Sequence, residues 1–307
     1  MSLLLIRGAL EQGLIYGLVA LGLYVSFRTL GIADLTVDGS FTLGAAVSAM
    51  LTSLGHPFIA LPAALLAGSV AGLVTALLQT KLRIQSILAG IITMTALYSI
   101  NLRVLGGKSN LALLRMETVF SAFKKILPAS VGVYSKLVIA VVIVTVIAVL
   151  ITFFLHTRLG LSIRATGDNR RMVSASSINP EFTITVGLCI SNALTALSGS
   201  LIAQYQQFCD VTMGTGMVVI GLASLIIGEV LTGASHFPTV GRGVFAAVVG
   251  GGIYWMIIAY AIASSMSAND LKLLSATIVA AAISWPVIIS KAKFAAKKRK
   301  AEKNADA

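Results

Sequence analysis

Apolar residues fall along this chain in nine long runs separated by short polar or basic segments. Each run is close to the roughly 20 residues that a helix needs to cross a bilayer. The pattern predicts spans at residues 3–27, from 34 or 39 to 54, at 57–80 and at 86–105. After a longer polar loop, further spans are expected at 137–156, 182–204, 214–231, 241–263 and 271–289. The fold class that follows is all-α, a polytopic transmembrane helical bundle with a membrane domain over 1–290 and a basic, disordered tail at 291–307.

Two segments break the apolar pattern in related ways. "GIADLTVDGSF" (31–41) and "FCDVTMGTGM" (208–217) align Asp34 with Asp210, Leu35 with Val211, Thr36 with Thr212, and Val37 with Met213. One copy follows the first span and the other the sixth, so five spans separate equivalent points and the copies sit in opposite orientations. Each is followed by three spans, with the fifth as linker. That is the layout of an inverted-topology repeat, in which discontinuous helices meet at the transport site. The breaks are expected at 31–40 and 208–216, with Asp38 or Ser40 capping a helix that begins near Phe41. Gly31 and Gly39 would open the first break, Gly214 and Gly216 the second.

Composition agrees with a membrane protein: 57% hydrophobic against 11% charged residues, with a mean hydropathy of +0.94. The net charge of +12 does not point to nucleic acid, because the basic residues lie between and after the apolar runs. With the C-terminus inside, fifteen of the 23 basic residues fall on the cytoplasmic side: Arg28, Lys81, Arg83, Arg158, Arg164, Arg170, Arg171, Arg242 and seven in the tail. The N-terminus is then outside, and residues 106–136 form an external loop.

Acidic residues at membrane depth cost on the order of 3 kcal/mol each, so they need a partner or a water-filled cavity. Candidate pathway residues are therefore Asp34, Thr36, Asp38, Ser40, Asp210, Thr212 and Gly216, together with Gln204 and Glu229. Each aspartate either contacts substrate or caps a helix and shapes the pathway without touching it. Glu229 falls near the inner interface, and "QYQQ" (204–207) reads as a solvated helix end or the rim of an entrance. In the cytoplasmic loop at 157–181, Asp168 is expected to cap a short helix through Ala175. Asn179, Pro180 and Glu181 are expected as the cap and first turn of the sixth span. A helix carrying Arg170, Arg171, Met172 and Val173 would offer charge and an apolar edge to a soluble partner, unless it is an ordinary basic loop.

Enzyme signatures are lacking. "GGKS" (106–109) ends like a phosphate loop, but position 102 is Leu where that motif needs Gly. His56, His156 and His236 lack metal-ligand spacing, as do Cys189 and Cys209, so neither a metal nor a cofactor is expected. No cleavable signal peptide is evident, since Arg7 and Glu11 interrupt the first run. The energy for transport must come from an ion gradient or another subunit.

"GIADLTVDGSFTLGA", "LSIRATGDNRRMVSASSIN", "NALTALSGSLIAQYQQFCDVTMGTGMVVIGLASLIIGEV" and "FPTVGRGVF" together resemble, in order and over nearly the whole chain, an ABC-importer permease. The larger family serves branched-chain amino acids and ribose-type sugars. The subfamily most similar is paired with lipoprotein-like binding proteins, some associated with tryptophan or tyrosine uptake. The resemblance implies a homodimer of permeases in the bacterial inner membrane, in contact with lipid. Its other partners would be a pair of cytoplasmic ATPase subunits, an external solute-binding protein and a small-molecule substrate. It also implies that Thr166, Gly167, Asp168, Asn169, Arg170, Arg171, Met172 and Val173 hold the helix that couples to the ATPase. The rival class is a gradient-driven carrier or channel that uses Asp34, Asp38 and Glu229 as a proton or cation relay.

Overall fold

The computed structural model describes residues 3–126, 134–233 and 239–264, together with 273, 276–281 and 284. Six helices among the described residues are long and apolar enough to cross a membrane. The first is α1 (Leu3–Leu23), which runs on into a π-helical turn (Tyr24–Thr29). The next three are α3 (Pro57–Thr80), α4 (Ser86–Val104) and α6 (Ser135–His156). The last two are α9 (Pro180–Gln206) and α11 (Val240–Ala263). Two more expected runs form shorter or less apolar helices, α2 (Thr36–Ser53) and α10 (Met217–Thr232). Eight of the nine expected runs are thus helical, and the ninth (271–289) lies, apart from a few residues, outside the described ones, as does the tail at 291–307.

Helix α9 is the axis of the bundle, with 83% of its apolar window buried. Its sequence is rich in Ala, Gly and Ser, which let neighbouring backbones approach closely. Gly44 of α2 lies directly against the Ala196 carbonyl, and Gly68 of α3 against the Asn192 carbonyl. A Cβ at either position would run into backbone, so the usual helix-stabilising effect of Gly→Ala is reversed here. Helix α6, by contrast, is aliphatic almost throughout and only 22% buried, as suits a helix that faces lipid.

The loop expected between the fourth and fifth spans carries structure of its own. Strand β1 (Asn110–Ala112) pairs antiparallel with β2 (Phe208–Asp210), setting Asn110 opposite Asp210. A short helix, α5 (Val119–Ile126), follows β1. The loop at 157–181 folds into two helices, α7 (Arg158–Asp168) and α8 (Arg170–Ala175).

Contacts along α9 fix the two ends of the bundle. At its start Glu181 pairs with Lys81 at 2.8 Å. At its finish Gln204 reaches Ser48, the Pro57 carbonyl and the Val119 amide. A 27-residue helix is about 40 Å long, so these are opposite faces of a membrane-sized body. Lys81 lies at one face with Arg83, Arg170 and Glu181, and Arg7, Lys124 and Lys136 line a cleft at the other.

Candidate functional site

Both Asp-x-Thr segments fold into the same local turn. Asp34 Oδ1 accepts a hydrogen bond from the Thr36 amide at 2.9 Å, and Asp210 Oδ1 accepts one from the Thr212 amide at 2.7 Å. A short carboxylate bonding the amide two residues on is what makes Asp a turn former. The first break is narrower than the sequence suggested. It covers Leu30–Leu35 alone, with Gly31 in the left-handed region (φ 66°), while residues 36–40 already belong to α2. Neither Asp38 nor Ser40 caps a helix starting at Phe41, because the Thr36 amide is served from outside the helix by Asp34. Gly39 does not open the break either. It packs inside α2 against Leu97 and Met94 of α4. The second break spans Phe208–Gly216 as expected and ends on Gly216 (φ 86°).

Asp34 is 1% exposed. Its second oxygen accepts from Asn192 Nδ2 at 2.7 Å, and Asn192 Oδ1 in turn accepts from Ser40 Oγ at 2.7 Å. Thr36 Oγ1 lies 2.7 Å from Thr75 Oγ1, which ties the same turn to α3. Asp34, Thr36 and Ser40 therefore form one cluster, but it is a closed one, with Thr36 and Ser40 each 0% exposed. Asn192 sits near the midpoint of α9, so this polar knot is at mid-height in the bundle. Sequence reasoning missed Asn192 and Thr75. The signal for Asn192 was an amide inside an apolar run, where it must find a partner.

Asp38 does something the sequence did not suggest. Its carboxylate leaves α2 and accepts the amides of Gly216 and Val218, each at 2.8 Å. Thr42, one turn on, accepts from the Gly214 amide at 3.0 Å. The first turn of α10, with its unpaired amides and positive dipole end, is thus capped by a carboxylate from α2. Helix α2 runs from mid-height to the Gln204 end, and α10 runs from mid-height to the opposite end, where Glu229 meets Arg28 at 2.9 Å. Two short helices thus begin at mid-height, and both starts are held by the protein's own carboxylates. Thr212 and Thr215 are exposed beside this junction and Gly216 is half-buried.

The remaining candidates stand apart from this centre. Gln204 is not a solvated end, although with Gln207 it lines the cleft that also holds Arg7, Lys124 and Lys136. It is buried and cross-links α2, α3 and the start of α5. Glu229 lies with Arg28, Tyr24, Arg164 and Asp168 around a cavity of about 330 Å³ at the α7 end. In the 157–181 segment, Asp168 closes α7 rather than capping the next helix. Asn169 is the cap, its Oδ1 accepting from the amides of Arg171 and Met172. The reason is the extended backbone of Asn169, which turns its own side chain over the start of α8. Thr166 and Gly167 anchor the segment. Thr166 Oγ1 lies 2.8 Å from Thr183 Oγ1, and Gly167 packs on the Thr29 carbonyl. Arg170, Arg171 and Met172 are exposed, and Val173 is buried.

This packing predicts a labelling pattern. Burial pushes the Cys209 thiol up to about 12, so it adds little background, and Cys189 can be replaced by serine. Thr212→Cys should then react with a membrane-impermeant maleimide at least about tenfold faster than Thr36→Cys. Equal rates would contradict the closed cluster around Asp34.

The chain was compared with known proteins. Residues 5–283 match the family model described as branched-chain amino acid transport system / permease component. A tyrosine transport system permease protein of Clostridioides difficile is 39% identical over 277 residues, 90% of this chain and 89% of that one. More distant relatives include a ribose import permease protein of Haemophilus influenzae, 26% identical over 73% of this chain and 68% of its own length. A probable branched-chain amino acid transport permease protein of Methanocaldococcus jannaschii is 24% identical over 87% of this chain and 84% of its own. No solved structure matches the chain. With the family model spanning most of its length and several apolar helices fit to cross a membrane, the chain belongs to the branched-chain amino acid permease family of ABC importers, as a multi-pass protein of the cell membrane.

Proposed function

We propose that this chain forms the translocation pathway of an ATP-driven importer for an amino acid, with an aromatic side chain favoured. The solute would be delivered by an external binding protein, and a separate ATPase subunit would supply the energy. The chain itself would carry out no bond chemistry. Two copies would pair, with the N-terminus outside and the C-terminus, α7 and α8 in the cytoplasm. The aromatic preference rests on the tyrosine transport permease relative. The inverted repeat is supported by the shared Asp-x-Thr turn and by the opposed courses of α2 and α10 from one level.

The observation that carries the ATP-coupled reading is α8. It is a six-residue helix, capped by Asn169, with Arg170, Arg171 and Met172 exposed. Its only buried residue is Val173. So short a helix has little intrinsic stability, and a built cap on a piece that buries one side chain suits a docking element. Its anchor, α7, is tied to the start of α9 at Thr183 and to the end of the π turn at Thr29. A push on α8 would therefore reach the helix that carries Asn192 and the turn that precedes Asp34.

Reversing both charges, Arg170→Glu with Arg171→Glu, should abolish coupled uptake and lower stimulation of the ATPase at least about tenfold. The permease should remain folded and inserted, since neither side chain makes a hydrogen bond or salt bridge within the described residues. Coupled uptake at the normal rate would remove α8 as the docking element.

A further inference from the structure

We infer that the ATPase subunit docks on a two-part surface, α8 together with the turn at 81–85 between α3 and α4, and that an acidic side chain of the ATPase enters the cleft between Arg83 and Arg170. This rests on the reading of α8 given above and extends it to a second element. The cleft has a volume of about 510 Å³, and its walls include Gln79, Arg83, Gln85, Arg170, Pro180 and Ile184.

Two arginines on separate elements border one opening. Neither Arg83 nor Arg170 makes a hydrogen bond or salt bridge through its side chain among the described residues. The carboxylate beside them, Glu181, is already engaged by Lys81 at 2.8 Å. That ion pair bridges the turn and the start of α9, close to α8. Arg83 holds a left-handed backbone conformation (φ 55°), which turns the chain sharply at that point. Glu181 lines the same cleft but is shared with Lys81, so a further carboxylate can still satisfy a guanidinium there with two parallel hydrogen bonds.

The partner's chemistry follows from what flanks the charges. Leu82, 66% exposed, precedes Arg83 on the turn, and Met172, 56% exposed, lies two residues after Arg170 on α8. Apolar side chains next to cationic ones fit a protein surface that presents an acidic group within an apolar border. A lipid headgroup would need the arginines but not this apolar rim on α8.

The test uses the tagged full-length permease purified with the ATPase subunit that accompanies it from solubilised membranes, measured as ATPase per permease. Arg83→Glu should lower that ratio at least about tenfold, as should Arg170→Glu with Arg171→Glu, while Arg83→Lys keeps it. Arg103→Glu, exposed at the far end of α4, serves as the control and should leave the ratio unchanged. If Arg83→Glu aggregates, Arg83→Gly removes the charge while suiting the positive φ, and a drop of at least severalfold is expected. Loss on reversing α8 with a normal ratio for Arg83→Glu and Arg83→Gly would overturn the two-part surface and leave the α8 reading standing. A normal ratio for the α8 reversal would overturn both. A normal ratio for Arg83→Glu accompanied by loss of bound anionic lipid would likewise overturn the inference, making the cleft a headgroup site.

Discussion

Replacing Asp34 with alanine is expected to destabilise the folded permease by about 3 kcal/mol, roughly a hundredfold in the folded-to-unfolded ratio. The change strips the acceptor from the Thr36 amide and from Asn192 Nδ2 in a region closed to water. Asn192 would keep its bond to the Leu188 carbonyl, but the start of α2 would be left uncapped. Asp34→Asn should be much milder, about 1 kcal/mol, because its amide oxygen can still accept from Thr36. Asn192 can then turn over to offer its oxygen, and Ser40 can accept instead of donate. Thermal unfolding of the purified protein in detergent gives the ranking. If asparagine proved as damaging to transport as alanine while leaving stability intact, Asp34 would be acting through its ionisation, as a relay does, and not as a cap.

Asp38→Ala is expected to have the second large effect, and to show it in transport more than in folding. Uncapping α10 costs about 2 kcal/mol, since two amides lose a charged acceptor. Helix α2 keeps its own cap through Asp34, so the bundle should assemble. What is lost is the carboxylate that bonds α2 to the first turn of α10, while Thr42 keeps its bond to the Gly214 amide. If the pathway opens by movement of one half against the other, uptake should fall at least about tenfold in Asp38→Ala, with the protein still monodisperse and inserted. Asp38→Asn, which can serve only one of the two amides, should lie between alanine and wild type. Unimpaired uptake in Asp38→Ala would show that the junction carries no load.

Much of the scaffold was legible in the sequence because lipid imposes one rule on every span. Runs of about 20 apolar residues must be helical, and eight of the nine fall as expected to within a few residues. The cap at Asn179, Pro180 and Glu181 was legible for the same reason that caps usually are, being a local bond: Asn179 Oδ1 accepts from the Glu181 amide at 2.9 Å. The Asp-x-Thr turns were legible as a repeated pattern, and each makes its bond within three residues.

Long-range partners were not legible. Asp38 looks like a cap for its own helix because the spacing allows it, yet the amides it accepts from lie 178 and 180 residues away. Gln204 stands in a polar tetrad that reads as solvated, but three elements close over it. Asp168 and Asn169 are both good cap residues, and the choice between them turned on one extended backbone angle. The π turn at Tyr24–Thr29 has no sequence signature at all, and it is what brings Arg28 round to Glu229.

The central claim is that ATP hydrolysis by another subunit, acting through α8, drives this pathway. It is tested most directly by uptake of radiolabelled tyrosine into proteoliposomes that hold the permease, its ATPase subunit and its binding protein. The account predicts accumulation only when ATP is present on the α8 side, unchanged by a protonophore. Accumulation driven by an imposed proton gradient without ATP, and abolished by the protonophore or by Asp34→Asn, would contradict it.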